Sequence, residues 1–220
     1  MSRANARRLA REALRAGRPL DWFEELYAEA DVAGASHIPW ADCTPNPNLV
    51  AWLDSHGLAG EGKPALKVGC GLGDDAEELS RRGFDVTAFD ISKSAVAAAQ
   101  RRFPGSAVSY QAADLFCAPA AWAGRYELVL ESYTLQVLPP PLRLDAIGKI
   151  ASFVASRGRL LVITRARDGG DPPGEMPWPL TRQELKRFEE HGLEQAVFED
   201  YLDNEDPPVR RFRVEYRRPN

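Results

Sequence analysis

A strand that runs into a glycine-rich turn and then into a helix is the feature that most limits how this chain can fold. Residues 65–68 are apolar apart from Lys67, and residues 75–82 have a helical composition that ends at Gly83. The turn between them reads Gly69-Cys70-Gly71-Leu72-Gly73. Glycine adopts backbone conformations closed to other residues and lets the main chain approach a ligand. In open α/β sheets this turn lies at the crevice beyond the strand ends, where ligands bind.

Strands and helices alternate after this turn. The pattern predicts strands at residues 86–89, 108–111, 128–130 and 160–164, helices at 93–103 and 142–154, and a hairpin of strands 196–201 and 209–216. Thr181 and Glu184 form a capping-box pattern that starts a further helix. Such alternation favours parallel strands with right-handed crossovers. The predicted fold is a doubly wound, mostly parallel seven-stranded α/β sheet of Rossmann-like type, with a C-terminal antiparallel hairpin.

The N-terminal part of the chain precedes this sheet. Residues 6–16, 20–30 and 49–58 predict helices, and the three prolines within residues 36–48 predict an ordered loop or lid. A length of 220 residues suits one domain. We expect a single domain over residues 1–220, in which 1–62 form the N-terminal helices and lid and 63–220 form the core.

Composition narrows the class of protein. No apolar run approaches the ~20 residues of a membrane helix. The three cysteines are too widely spaced for a disulfide framework or a Cys-x-x-Cys zinc site. A net charge of -4 gives no overall attraction to nucleic acid. The sequence therefore predicts a cytoplasmic protein, a monomer or homodimer, that binds a small-molecule substrate and neither metal, membrane nor nucleic acid.

Acidic residues end the strands that follow the turn. Asp90 ends the second strand, Asp114 with Leu115 follows the third, and Glu131 ends the fourth. A carboxylate in the position of Asp90 can accept hydrogen bonds from both hydroxyls of a ribose. Asp114 can accept from an adenine amino group while Leu115 packs on the ring. Asp90 could instead cap the next helix, a role that Ser92 can also fill.

The spacing of the glycines separates two candidate ligands. A dinucleotide fingerprint has the pattern G-x-G-x-x-G, but Asp74 stands where its third glycine would be. Asp74 and Asp75 would repel a pyrophosphate and are compatible with a cation such as a sulfonium. The turn thus favours S-adenosylmethionine over a nicotinamide dinucleotide, although alone it could be only a tight connection between strand and helix.

Taken in order, the turn, Asp90, Asp114-Leu115 and Glu131 resemble the class I S-adenosylmethionine-dependent methyltransferases over residues 65–164. Within that superfamily the chain looks like the small bacterial branch akin to thiopurine and thiol methyltransferases. The features that suggest this branch are Ile38-Pro39-Trp40, Pro45-Asn46-Pro47 and Tyr133-Thr134-Leu135.

The resemblance implies a set of cofactor-binding residues: Tyr27, Trp40, Gly69, Cys70, Gly71, Gly73, Asp74, Asp90, Ile91, Asp114, Leu115 and Glu131. It implies that the turn approaches the methionine part of the cofactor and that Tyr27 and Trp40 cover it, although Trp40 could equally anchor its loop. The family commonly has an acidic residue at the position of Lys67. Asp74, Asp75 or the backbone would then bind the amino group of the cofactor.

The implied reaction transfers a methyl group from S-adenosylmethionine to a small-molecule nucleophile and leaves S-adenosylhomocysteine. A thiol or related soft atom is the expected acceptor, because it ionises near neutral pH and needs only positioning. A hydroxyl would more often need a base or a metal. The candidate substrate contacts are His37, Asp42 and Tyr133. The alternatives are an O- or N-methyltransferase, a cofactor-binding protein without catalysis, and a nicotinamide enzyme.

Overall fold

Helices and strands alternate along the chain as the sequence predicts. The computed structural model describes residues 2–33 and 38–220. Their helices are α1 (Ser2–Arg15), α2 (Asp21–Ala33), α3 (Pro47–Ser55), α4 (Asp74–Arg81), α5 (Lys93–Arg102), α6 (Pro140–Phe153) and α7 (Arg182–Lys186). Their strands are β1 (Pro64–Val68), β2 (Asp85–Asp90), β3 (Ser109–Ala112), β4 (Tyr126–Ser132), β5 (Val154–Arg165), β6 (Glu194–Leu202) and β7 (Arg210–Arg217). None of the helices in these two stretches has the length and apolar character needed to cross a membrane.

The seven strands form one sheet in the order β3-β2-β1-β4-β5-β7-β6. β4 pairs in parallel with β1 and with β5, and β2 pairs in parallel with β3. β7 is antiparallel to both β5 and β6. The predicted mostly parallel sheet with an antiparallel C-terminal hairpin is confirmed, and the second strand of the hairpin is the one that joins β5.

The chain divides into two compact units. One comprises residues 1–62 and 69–114, and the other comprises residues 63–68 and 115–220. The first unit holds α1 to α5 with β2 and β3, and the second holds β1, β4 to β7, α6 and α7. The single domain over residues 1–220 stays a prediction.

Local sequence explains where three of the seven described helices begin. The side chain of Asn46 accepts from the Asn48 N–H at the start of α3, and that of Ser92 accepts from the Ala95 N–H at the start of α5. Both halves of the predicted capping box of Thr181 and Glu184 are present at α7. These side chains accept from N–H groups that have no partner within the helix.

The border between α6 and β5 differs from the prediction. The helix was expected to continue to Val154 and the strand to begin at residue 160, whereas α6 ends at Phe153 and β5 begins at Val154. The first part of β5 reads Val-Ala-Ser-Arg-Gly-Arg and includes Arg157 at φ 60°. Because the first part of β5 is polar and has an irregular backbone, it lacks the apolar alternation from which a strand is predicted.

Candidate functional site

The glycine turn of residues 69–73 connects β1 to α4. Its three glycines have φ values of 60° (Gly69), 52° (Gly71) and 95° (Gly73), in the left-handed region that favours glycine. A Cβ atom added to Gly71 would lie 2.8 Å from the Tyr27 hydroxyl, and one added to Gly73 would lie 2.5 Å from the Tyr110 hydroxyl. Gly71 and Gly73 therefore serve the packing of two tyrosines on the turn, a requirement that the sequence did not reveal.

Asp90 holds the turn from the end of β2. Its Oδ2 accepts from the Gly71 N–H at 2.9 Å, and its Oδ1 accepts from the Ser92 N–H at 3.0 Å. The Cys70 N–H donates to the Phe89 carbonyl at 2.8 Å, which adds a backbone link between the same two segments. Asp90 is 7% exposed. The carboxylate therefore orders the turn in addition to any ligand that it binds, while Ser92 caps α5.

Tyr27 and Trp40 lie against this turn. The Trp40 Nε1–H donates to the Tyr27 hydroxyl at 3.0 Å, and both rings pack in a cluster with Ile38 and Leu72. Burial raises the pKa of Tyr27 well above its ordinary value, and the charge of Asp90 raises it further. Tyr27 thus stays protonated. The contacts of Trp40 fit the role of an anchor for its loop, and contact of either ring with a cofactor stays a prediction.

Asp74 and Asp75 have partners in the protein. The two carboxylate oxygens of Asp74 accept from Arg102 at 2.7 and 2.8 Å, and Asp75 accepts from the Asn46 N–H at 2.8 Å. Arg102 also donates to the Leu72 carbonyl at 2.6 Å, so it joins α5 to the turn. Because Arg102 offsets the charge of Asp74, the two aspartates repel a pyrophosphate less strongly than the sequence suggests. Arg102 lies 28 positions away in sequence, and no local pattern marks this pair.

The remaining predicted cofactor residues of the first unit lie around the ends of β2 and β3. Ala112, the last residue of β3, pairs with Asp90, and the Ala113 N–H donates to the Asp90 carbonyl at 2.9 Å. Asp114 follows directly and is partly exposed. Ile91 is also partly exposed, whereas the Cys70 side chain is buried. One carboxylate, that of Asp90, therefore ends β2, and another, that of Asp114, comes just after the neighbouring parallel strand β3.

In the second unit, Glu131 lies near the end of β4 beside β1. Its side chain is fully buried, and its Oε1 accepts from the N–H groups of Thr134 and Leu135 at 2.8 and 2.9 Å. Oε2 has no hydrogen-bond partner among the described residues. Burial raises the pKa of Glu131 to about 7, and the positive charge of Lys67 opposes that rise. The unusual Lys67 of β1 therefore has an acidic neighbour on β4. Leu115, the other predicted cofactor residue of this unit, is buried at the start of a short 3-10 helix.

Two of the three candidate substrate contacts lie within the described residues, Asp42 in the first unit and Tyr133 in the second. His37 lies outside the described residues, and Asp42 is exposed in the loop before α3. Tyr133 follows β4 with φ 67°, a left-handed conformation that bulky residues rarely adopt. Arg211 of β7 lies over the Tyr133 ring, 4.7 Å from its centroid. Arg211 was not predicted from the sequence, because no local pattern shows that Arg211 is buried while Arg210 and Arg213, in the same strand, are more exposed.

Comparison with known proteins identifies related sequences. Residues 65–158 match the sequence profile of the family described as "Methyltransferase domain". A ubiquinone biosynthesis O-methyltransferase of Burkholderia multivorans is 32% identical over 151 residues, which are 66% of this chain and 63% of that protein. The chain thus spans less than two thirds of the length of the curated relatives that it matches first.

Solved structures share the fold. The 1,6-didemethyltoxoflavin-N1-methyltransferase of Burkholderia thailandensis, solved with 1,6-didemethyltoxoflavin and S-adenosylhomocysteine, has a TM-score of 0.67 and 18% identity over 91% of this chain and 86% of that chain. A second solved structure carries the description "Conversion of a Disulfide Bond into a Thioacetal Group during Echinomycin Biosynthesis". It has a TM-score of 0.68 and 19% identity, over 82% of this chain and 84% of that chain. Residues 65–158 are therefore similar to methyltransferase domains, and the solved methyltransferase structure shares the fold of this chain.

Proposed function

We propose that this chain binds S-adenosylmethionine at the glycine turn and transfers its methyl group to a small-molecule nucleophile. The observation that carries the proposal is the construction of the turn. Three left-handed glycines occur within five residues, and the carboxylate of Asp90 fixes the middle one through its N–H. A turn fixed in this way presents its backbone to a ligand in one conformation. Binding therefore costs little conformational entropy in the turn.

The acceptor groups in the first unit suit the nucleoside part of this cofactor. Asp90 is the proposed acceptor for the two hydroxyls of a ribose, because each oxygen of a carboxylate can accept more than one hydrogen bond. Asp114, after the neighbouring strand, is the acceptor for the adenine amino group. Tyr27, Trp40, Gly69, Cys70, Gly73 and Ile91 complete the proposed surface, and Asp74 contributes through its hold on Arg102. For Glu131 and Leu115, cofactor contact remains part of the proposal.

When bound, S-adenosylmethionine supplies a methyl group on a positively charged sulfur. Displacement of that group demands mainly alignment and exclusion of water from the protein. The chain provides a rigid turn, a buried Asp90 and a protonated Tyr27 whose hydroxyl lies over Gly71. These groups position the cofactor and leave the choice of acceptor to other residues.

For the acceptor atom we propose the oxygen of a hydroxyl group. Curated relatives of this chain include ubiquinone biosynthesis O-methyltransferases, and their names do not support the thiol expected from the sequence. The structural neighbours are named for nitrogen and for disulfide chemistry, so the fold does not select an atom. The names of the sequence relatives therefore favour oxygen.

Binding is tested by calorimetric titration of S-adenosylmethionine and S-adenosylhomocysteine. We expect Asp90→Asn to weaken both by about 5- to 150-fold, the equivalent of ~1–3 kcal/mol for a lost charged hydrogen bond. Asp85→Asn, at the exposed start of the same strand, is the matched control and should bind normally. Folded wild-type protein that binds neither compound would refute the proposed function.

The acceptor is tested by following S-adenosylhomocysteine formation with catechol, aniline and thiophenol. We expect turnover with catechol. Turnover with thiophenol alone would restore the thiol expected from the sequence, and turnover with aniline alone would identify an N-methyltransferase. Binding of S-adenosylmethionine without turnover of any of the three would favour a cofactor-binding protein.

A further inference from the structure

We propose that Arg211 and Tyr133 bind the methyl acceptor, and that this acceptor is an uncharged aromatic ring whose oxygen accepts a hydrogen bond from Arg211. The inference rests on the proposed function and specifies its substrate class. Both residues belong to the second unit. Tyr133 follows the last residue of β4, and Arg211 pairs with Arg165, the last residue of β5. They therefore lie at the carboxyl end of two parallel strands, the edge where α/β sheets bind ligands.

Arg211 has one nitrogen, Nη1, that makes no hydrogen bond to the described residues. Its side chain is buried, its Nε donates to Asp203 at 2.6 Å, and its Nη2 donates to Glu205. Nη1 is buried without a hydrogen-bond partner among the described residues. A buried donor left unpaired costs free energy, and a ligand oxygen that accepts a hydrogen bond from it recovers that free energy.

Tyr133 supplies the aromatic part of the same site. The Arg211 guanidinium covers its ring at 4.7 Å from the centroid, and the side chain remains partly exposed. Its backbone has φ 67°, a conformation that costs free energy in a residue with a bulky side chain. Strain of this kind is concentrated at functional sites. A flat ring that packs on the exposed part of Tyr133 can bring an oxygen to the neighbouring Nη1.

The charges around Arg211 argue for a neutral ligand. Burial raises the pKa of Asp203, but hydrogen bonds from the Val209 N–H and from Arg211 outweigh it, so the net shift is downward and Asp203 is ionised. Glu205 gives Arg211 a second carboxylate. Two negative charges thus face one positive charge, and the adjacent Arg213 is paired with Glu199. An anionic ligand would add a third negative charge, whereas a hydroxyl or carbonyl oxygen would not.

Tyr201 extends the cluster on β6. Burial raises the pKa of its hydroxyl to about 12, and Tyr133 and Arg211 both interact with it electrostatically. Tyr201 pairs with Arg211 across β6 and β7 and keeps its proton at neutral pH, so it adds no negative charge beside Arg211.

Catechol and 3,4-dihydroxybenzoate test this inference, because they differ by one carboxylate. We expect wild-type protein to use catechol with a kcat/KM at least ten times higher. Arg211→Lys should raise the KM for catechol about tenfold, because a lysine ammonium does not reproduce the planar guanidinium whose three nitrogens face Asp203, Glu205 and the acceptor. It should leave the affinity for S-adenosylmethionine unchanged. Arg210→Lys, one position away and paired on the surface with Asp168 and Asp200, is the matched control and should behave as wild type.

A second variant guards against misfolding of Arg211→Lys. Tyr133→Asn removes the ring and keeps a residue that tolerates positive φ. It too should raise the KM for catechol without changing cofactor affinity. If neither phenol is turned over, titration of both into the complex with S-adenosylhomocysteine replaces KM by a dissociation constant.

The inference fails if folded Arg211→Lys and Tyr133→Asn retain the wild-type KM or dissociation constant for catechol. It also fails if 3,4-dihydroxybenzoate is used or bound as well as catechol, or if wild-type protein binds neither phenol. In each case, normal binding of S-adenosylmethionine leaves the proposed cofactor site intact. Loss of cofactor binding in wild-type protein would instead refute the proposed function itself.

Discussion

At the scale of single residues, Gly71 matters because its backbone and its neighbour both exclude a side chain. It has φ 52°, and an added Cβ atom would lie 2.8 Å from the Tyr27 hydroxyl. Its N–H is also the group that Asp90 binds. One position therefore couples the shape of the turn, the tyrosine that covers it and the acidic residue at the end of β2.

Gly71→Ala should destabilise the protein by about 2–3 kcal/mol, about 1 for an L-residue at positive φ and the rest for the contact with Tyr27. Gly105→Ala is the matched control, because Gly105 has φ 84° and nothing lies within 4 Å of an added Cβ atom. It should lose only about 1 kcal/mol. Tyr27→Phe removes the close hydroxyl and should restore part of the stability of Gly71→Ala. Urea unfolding measures all of these, and equal losses at both glycines would contradict the packing argument.

Glu131 predicts a pH dependence of stability. Burial raises its pKa from 4.5 to about 7, so the folded protein prefers the protonated carboxyl. Its contribution is full below pH 4.5 and is lost as the pH rises through about 7. Relative to Glu131→Gln, the wild-type free energy of unfolding should fall by about 2 kcal/mol between pH 5 and pH 8. Glu127→Gln, at the exposed position of the same strand, should keep the wild-type pH dependence. If the free energy of unfolding of Glu131→Gln changed with pH in the same way as that of wild type, Glu131 would be ionised in the folded protein over this whole pH range.

At the scale of elements, side-chain caps fix where helices begin next to the strands that they follow. In α7 the Thr181 hydroxyl accepts from the Glu184 N–H at 3.1 Å, and Glu184 Oε2 accepts from the Thr181 N–H at 2.8 Å. Glu184 Oε1 also accepts from Arg143 of α6 at 2.7 Å. The cap therefore connects two helices of the second unit.

Thr181→Ala should lower the free energy of unfolding by about 1 kcal/mol, the usual cost of a lost N-cap. Thr44→Ala, at an exposed loop position, is the control and should change little. Urea denaturation followed by circular dichroism compares the two. A Thr181→Ala protein as stable as the Thr44→Ala protein would show that Arg143 and Glu184 hold α7 without the cap.

Local chemistry made these elements predictable, whereas contacts between distant residues were not. Ser92 and the pair Thr181 and Glu184 mark helix starts by their spacing alone, and the hairpin of β6 and β7 follows from its pattern. The salt bridge of Arg102 with Asp74, and the contact of Tyr110 with Gly73, join positions far apart in sequence. Such contacts arise only once the fold brings segments together, so the sequence could indicate the turn and its acidic residues without indicating what holds them.

At the scale of the whole molecule, the question is whether the two units unfold together. Of the five tryptophans, Trp22, Trp40 and Trp52 lie in the first unit, and Trp122 and Trp178 lie in the second. In the double variant Trp122→Phe, Trp178→Phe, fluorescence therefore reports the first unit alone, whereas circular dichroism reports both.

A single domain predicts that the two signals change at the same urea concentration in that variant. S-adenosylhomocysteine at about a hundred times its dissociation constant should then stabilise both by about 2.7 kcal/mol. Two separate midpoints, with only the fluorescence midpoint shifted by ligand, would show two domains and would limit the cofactor's effect to the first unit.

The central claim is that the glycine turn and Asp90 bind the nucleoside of S-adenosylmethionine. A crystal structure with S-adenosylhomocysteine tests it most directly. The account predicts ribose hydroxyl oxygens within about 3.2 Å of the Asp90 carboxylate and the adenine amino group beside Asp114. A nucleoside bound away from residues 69–73, with Asp90 in contact only with the protein, would contradict it.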